Sequence, residues 1–214
     1  MNVLFDVLRF MRHNDTEVLT LTLEHLWMVG VSTFLAVLVG VPLGILITRR
    51  PGLNKPVLGG ANIIQTIPSL ALFGFLLPIP WLGARSERLA IFALTLYALL
   101  PLIRNTYAGI KGVDPSVVEA GRGMGMTDRQ LLWQVELPLA LGIIIAGVRV
   151  ATVISIGLAT IAAAIGAGGL GEYIFRGLAM VNNQLILAGA IPASALALAA
   201  DMGLGWLERR LHSY

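Results

Sequence analysis

The sequence predicts an all-α membrane protein with five spanning helices, or six if a glycine-rich stretch after Ile165 is counted. Three observations predict it. Hydrophobic residues make up 57% of the 214 residues and charged residues only 13%, where a soluble domain carries about a quarter charged. One soluble core could not hide that much apolar surface, whereas a bilayer solvates apolar side chains directly. Apolar runs also recur at the length of about 20 residues that a helix needs to cross hydrocarbon. Finally, basic residues collect between those runs, as they do in the loops of membrane proteins.

The first residues do not read as a secretory signal, because Asp6, Arg9 and Arg12 interrupt them and no long apolar region precedes a small-residue cleavage site. Val3, Leu4, Val7, Leu8 and Met11 fall at helical spacing. The expectation is a short amphipathic helix on the membrane surface, within an N-terminal segment 1–22. The spans follow over 23–207, at roughly Leu23 to Thr48, Val57 to Ile79, Leu89 to Tyr107, Leu139 to Ile165 and Leu185 to Leu207. Residues 208–214 form a tail. Placing the loop after the first span in the cytoplasm puts nine basic residues inside (Arg49, Arg50, Lys55, Arg104, Lys111, Arg122, Arg129, Arg209, Arg210). Five lie outside: Arg9, Arg12, Arg85, Arg88 and Arg176. The positive-inside rule therefore predicts an outer N-terminus and an inner C-terminus.

Two spans are irregular. Gln65, Thr66, Pro68 and Ser69 set polar side chains and a proline inside the second apolar run. Pro68 removes a backbone hydrogen bond and kinks the helix; the kink is either structural or part of a pathway-lining element. The fourth run ends in Gly166, Gly168, Gly169 and Gly171. Four glycines in six residues do not sustain a helix, so a flexible or tightly turned segment is expected, a candidate hinge or gate, leading into a short helix over Glu172 to Ala179. Many other small residues in the spans serve helix packing.

Two charges lie within spans. Arg149 is roughly 15 Å into the fourth span and Asp201 roughly 9 Å above the inner end of the fifth, at ~1.5 Å per residue. Charges at such depth need partners. The two either pair with each other or bind backbone carbonyls and water.

The one long inner loop, about 109–138, is ordered by its own sequence. Asp114 caps a helix that starts at Pro115, and Gly123 and Gly125 end it. Thr127, with Gln130 three residues on, starts a second helix as a capping box. Leu131, Leu132 and Val135 give that helix an apolar face, and Pro138 marks the start of the fourth span. Such a pair is either a surface for a partner or an ordinary structured loop.

Other classes are disfavoured. There are no cysteines, which excludes thiol chemistry and Cys-based metal sites. His13, His25 and His212 form no pair at metal-ligand spacing. No Ser/His/Asp or carboxylate cluster sits within the spans, which argues against an enzyme. An ion-coupled secondary transporter would need mid-membrane ionisable groups and often an internal repeat. The net charge of +3 belongs to loops, not to a nucleic-acid surface.

The run Glu119-Ala120-Gly121-Arg122-Gly123-Met124-Gly125, followed by Val135-Glu136-Leu137-Pro138, resembles the EAA loop of ABC importer permeases, with Gly121 and Val135 as small departures from the pattern. Ile64 to Ala71, Ile165 to Gly171, and Ile174 to Leu178, with His25 and Pro42-Leu43-Gly44, resemble the glycine betaine/carnitine/choline permeases. This resemblance covers about residues 20–207. It implies a type I ABC importer transmembrane domain whose loop forms a coupling helix docked on a cytoplasmic ATPase subunit. Glu119, Ala120, Gly121, Arg122, Gly125, Asp128, Leu137 and Pro138 are then the coupling residues. The chain has no phosphate-binding loop of its own, so the resemblance places ATP and Mg on an ATPase dimer, and no cofactor on this chain. It also implies a separate soluble or lipid-anchored binding protein, a second permease copy or a related permease, and a bacterial cytoplasmic (inner) membrane. Quaternary ammonium groups are held by aromatic cages. The spans are poor in aromatics, so tight selection is expected in the binding protein, with Gln65, Thr66 and Ser69 lining a weak polar passage.

Overall fold

A computed structural model describes residues 3–211, and the side chains from residue 5 onward. The apolar spacing of Val3 and Leu4 and the position of His212 lie outside the side chains so described. The regular structure among the described residues is all helical, with no strand. Four helices are long and apolar enough to cross a membrane, or five if one bent pair counts as a span.

Helix α1 (Val3–His13) is followed at once by α2 (Asp15–Arg49). At ~1.5 Å per residue α2 is roughly 50 Å long, well beyond the ~30 Å hydrocarbon core, so it starts earlier than the apolar run and projects from the membrane. The expected short N-terminal helix forms as α1, and one face of it is docked onto protein. Its Val7 is buried, Gln184 Nε2 donates to the Asp6 carbonyl at 2.8 Å, and Phe10 meets Tyr173 edge-on.

The second apolar run is not one kinked helix. It is α3 (Asn54–Thr66) and α4 (Ser69–Leu76), bent by 101°. Ile67 and Pro68 between them are both extended, with ψ of 126° and 138°; Ile67 is so because a residue before proline is driven out of the helical region. The short α5 (Pro80–Gly83) leads to α6 (Ser86–Lys111). The loop carries α7 (Pro115–Gly123) and α8 (Asp128–Leu131). A π-helical segment, Leu132–Glu136, runs α8 into α9 (Leu137–Ala162). After the glycine-rich turn, α10 (Gly171–Ala179) is only nine residues, too short to span, and α11 (Asn183–Leu211) closes the described chain. The glycine-rich stretch thus adds no sixth span.

The hub is α6. It packs on α2, α3, α4, α5 and α9, and Leu89, Ala90, Ala93, Leu94 and Tyr97 lie in the main core with Met28, Phe73, Ile156 and Ala159. Close approach is set by small residues, as expected where lipid provides no hydrophobic drive between helices. A Cβ at Gly44 of α2 would lie 2.5 Å from Thr106 Cβ, and one at Gly147 of α9 2.7 Å from Asn105 Cβ. Large apolar side chains such as Phe34, Leu38, Phe75 and Leu198 stay exposed around the bundle, which suits lipid contact.

Candidate functional site: a helical loop, a broken span and a glycine turn

The loop is built from its caps. Asp114 Oδ1 accepts from the Ser116 amide at 2.8 Å, Pro115 fills the first helical position, and the Ser116 hydrogen bonds hold the Asp114 carboxyl below its ordinary value. At the other end of α7, Gly125 takes φ +83° and the amides of Met124 and Gly125 return to the carbonyls of Ala120 and Arg122. The capping box on α8 is complete: the Gln130 amide donates to Thr127 Oγ1, and the Thr127 amide to Gln130 Oε1 at 2.9 Å.

Gly121 is buried, and a Cβ there would lie 2.7 Å from Leu131 Cδ1. This position, where the EAA pattern has alanine, is where α7 seats on α8. Glu119, Ala120, Arg122, Gly125 and Asp128 are all exposed. They share that surface with Met124, 78% exposed and among the most exposed large apolar side chains of the described residues. The arrangement can present two acidic side chains, one basic and one large apolar contact around a tight turn. Leu137 and Pro138 stand apart from it. They line an apolar groove of about 900 Å³ between α2 and α9, with Arg49, Trp133 and Ile145.

Sequence reasoning missed the partner of Glu136. This carboxylate is buried, its side chain 6% exposed, and it faces Arg49 at the end of α2. Arg49 Nη1 donates to Glu136 Oε1 at 3.2 Å and Nη2 donates to Oε2. An acid between Val135 and Leu137, at the foot of an apolar run, was the signal available.

At the broken span, Gln65 Nε2 donates to the Tyr97 carbonyl at 2.9 Å, and the Tyr97 hydroxyl donates to the Ile67 carbonyl. Helix α6 thus satisfies backbone that the break frees. Thr66 is exposed, but its hydroxyl donates to the Ile63 carbonyl at 2.7 Å. Pro68 is exposed and Ser69, half-buried, starts α4.

The glycine segment is a tight turn. Gly166, Gly168 and Gly169 have φ of +73°, +88° and +80°, conformations that disfavour a Cβ. The Gly169 amide donates to Glu24 Oε2 at 3.0 Å. Gly171 opens α10, where a Cβ would lie 2.0 Å from the Thr160 carbonyl oxygen.

Arg149 and Asp201 meet. Nε and Nη2 of Arg149 donate to the two Asp201 oxygens at 2.6 and 2.8 Å, and Nη1 donates to Glu208 Oε2 at 3.2 Å. Gly205 leaves room for the guanidinium, since its Cβ would lie 3.1 Å from Arg149 Cζ. Glu208 was not foreseen; it lies one helical heptad after Asp201, on the same face.

The chain is 45% identical over 205 residues to the carnitine transport permease protein OpuCB of Listeria monocytogenes, covering 96% of this chain and 93% of the relative. It is 43% identical, with the same coverage, to the glycine betaine/carnitine/choline transport system permease protein OpuCB of Bacillus subtilis (strain 168). Its fold matches a chain of the MetNI methionine ABC transporter in an inward-facing conformation, with a TM-score of 0.83, 25% identity, and 91% and 96% of the two chains covered. The family described as binding-protein-dependent transport system inner membrane component matches residues 40–213, and the chain belongs to that family.

Proposed function

We propose that this chain is the transmembrane subunit of an ATP-driven importer for a small quaternary-ammonium osmoprotectant such as glycine betaine, choline or carnitine. One observation carries the reading: near-full-length relatives, 45% and 43% identical, are permeases named for those solutes. In this proposal ATP and Mg belong to a cytoplasmic ATPase dimer, and a separate soluble or lipid-anchored binding protein delivers the solute. Two permease chains, identical or related, enclose the passage in a bacterial cytoplasmic membrane. The N-terminus is outside and the α7–α8 loop and C-terminus inside, in keeping with the basic residues at that end.

The exposed group Glu119, Ala120, Arg122, Gly125 and Asp128 receives the ATPase, seated through Gly121. Leu137 and Pro138 set the base of the loop. ATP-driven closure of the ATPase pair drags the loop and rocks the spans between inward-open and outward-open states. Ser69 and Thr66, at the break beside Pro68, line the passage, with Gln65 holding the break against α6. The turn Gly166–Gly171 is a fixed joint about which α10 and α11 move, and Arg149–Asp201 holds α11 to α9. The likeness to a methionine transporter favours an amino acid as the second reading.

The test is uptake into proteoliposomes holding the permease with its ATPase and binding protein. ATP-dependent uptake of labelled betaine, choline or carnitine is expected, with Ser69→Trp cutting uptake while assembly with the ATPase persists. Uptake of methionine alone would favour the second reading, and hydrolysis without uptake of any of the four would sink both. Normal uptake by Ser69→Trp would remove that residue from the passage.

A further inference from the structure

Arg49 and Glu136 join two parts of the chain that the loop alone would leave separate. Glu136 is the one buried carboxylate among the described residues. It lies in the π-helical segment between α8 and α9, the stretch through which a displacement of the loop enters the membrane. Arg49 ends α2, where a cation is favoured by the helix dipole. The two-point guanidinium–carboxylate contact fixes both position and orientation. An apolar groove flanks the pair: Pro42, Ile45 and Leu46 on α2 face Leu137 and Leu141 on α9 across about 900 Å³. At the level of the loop base, the ion pair is therefore the polar link between the two walls. On its far side α2 is locked to α6, where Gly44 sits against Thr106 and Gly40 against Leu102.

We propose that Arg49–Glu136 is the strut that carries movement of the α7–α8 loop onto α2; α6 packs on α9 directly, with Gly147 against Asn105. The π-helical turn that carries Glu136, a feature frequent at functional sites, lets the loop base shift without breaking α9. Without the strut the base of α9 moves while α2 lags. The ATPase then turns over with less solute carried. Arg49 and Glu136 are positioning residues; neither needs to touch solute or nucleotide. The proposal rests on the transport reading above.

The test uses the full complex in proteoliposomes and reads solute carried per ATP hydrolysed, together with the melting point. Glu136→Gln and Arg49→Gln each leave one charge in place without its partner and lower the melting point. The deciding variant is R49M/E136L. Glu136 is buried and the Arg49 side chain is 34% exposed; replacing both partners with apolar groups leaves no unpaired buried charge, so the melting point of this variant returns towards that of the parent. The strut predicts that solute per ATP stays down about five-fold or more, the range of typical coupling energies, and that Arg49→Lys keeps most of it. A ratio that recovers with the melting point in R49M/E136L overturns the strut and leaves a purely structural pair. If R49M/E136L fails to fold, Arg49→Lys and Arg49→Gln decide: equal ratios in the two overturn the proposal. An inactive parent complex would count against the transport reading itself, whereas an active parent with unaltered variants counts against the strut alone.

Discussion

Single glycines in this chain do three different jobs, and their replacement separates them. Gly203 has nothing within 4 Å of a built Cβ, so Gly203→Ala is neutral or stabilises by up to about 1 kcal/mol through helix propensity. Gly168 has φ +88°, and its Cβ would push aside only the end of the Glu24 side chain, whose Oε2 accepts from the Gly169 amide. The cost of Gly168→Ala is then mainly that of a left-handed backbone, about 1–2 kcal/mol. Gly171 has ordinary helical φ, yet its Cβ would lie 2.0 Å from backbone at Thr160. Two helices must part, and overpacking of that kind costs about 1–3 kcal/mol. Melting of the three purified variants in detergent should rank Gly171→Ala lowest and Gly203→Ala highest; Gly171→Ala melting with the parent would contradict the packing argument. The sequence made the turn at 166–171 legible, because glycine density defeats a helix. It could not tell which glycine supplies φ and which supplies space, since Thr160 is remote from that choice until the helices pack. For the same reason nothing within Val-Glu-Leu-Pro marks Glu136 as half of an ion pair: its partner Arg49 lies 87 positions away.

At the scale of elements, local signals were enough for the loop. Asp114-Pro115, the Gly125 stop and the Thr127/Gln130 box each act within a few residues, so they could be read without tertiary context. The cap also sets a pH dependence. Its hydrogen bonds to Ser116 hold the Asp114 carboxyl below the ordinary 3.8. A lowered folded value means the cap's stabilisation is complete above the unfolded value and is lost as pH falls through the folded one. Amide exchange over residues 116–118, taken as the ratio of Asp114→Asn to parent, should be constant from pH 7 to about 5. It should change below about 4, where only the parent's cap is protonated. A ratio flat to pH 2.5 would show that Asp114 does not cap as a carboxylate. The broken span was only half legible. Pro68 signalled an interruption, but a 101° bend rather than a kink needs α6 to take up the freed groups through Tyr97, and that contact is tertiary.

Across the whole molecule the helices are held unequally. Most of the apolar window of α6, 61%, is buried within the chain, against 17% for α11. Packing against this chain therefore secures α6, and α11 depends more on few strong contacts, chief among them Arg149 with Asp201 and Glu208. Arg149 lies in a stretch long and apolar enough to cross a membrane, where a charge is costly unless partnered, so Arg149→Ala both frees α11 and strands two carboxylates. The absence of native cysteine allows this to be read cleanly. Ala197 of α11 packs against the core around Ala93 and Ile156, so a thiol placed by Ala197→Cys should react slowly with a maleimide in the parent and several-fold faster with Arg149→Ala. A thiol placed by Ala93→Cys, in the buried hub, should react equally slowly in both. Equal rates at Ala197 with and without Arg149 would mean that apolar packing alone seats α11, and that the ion pair could move or be lost during the cycle without releasing the helix.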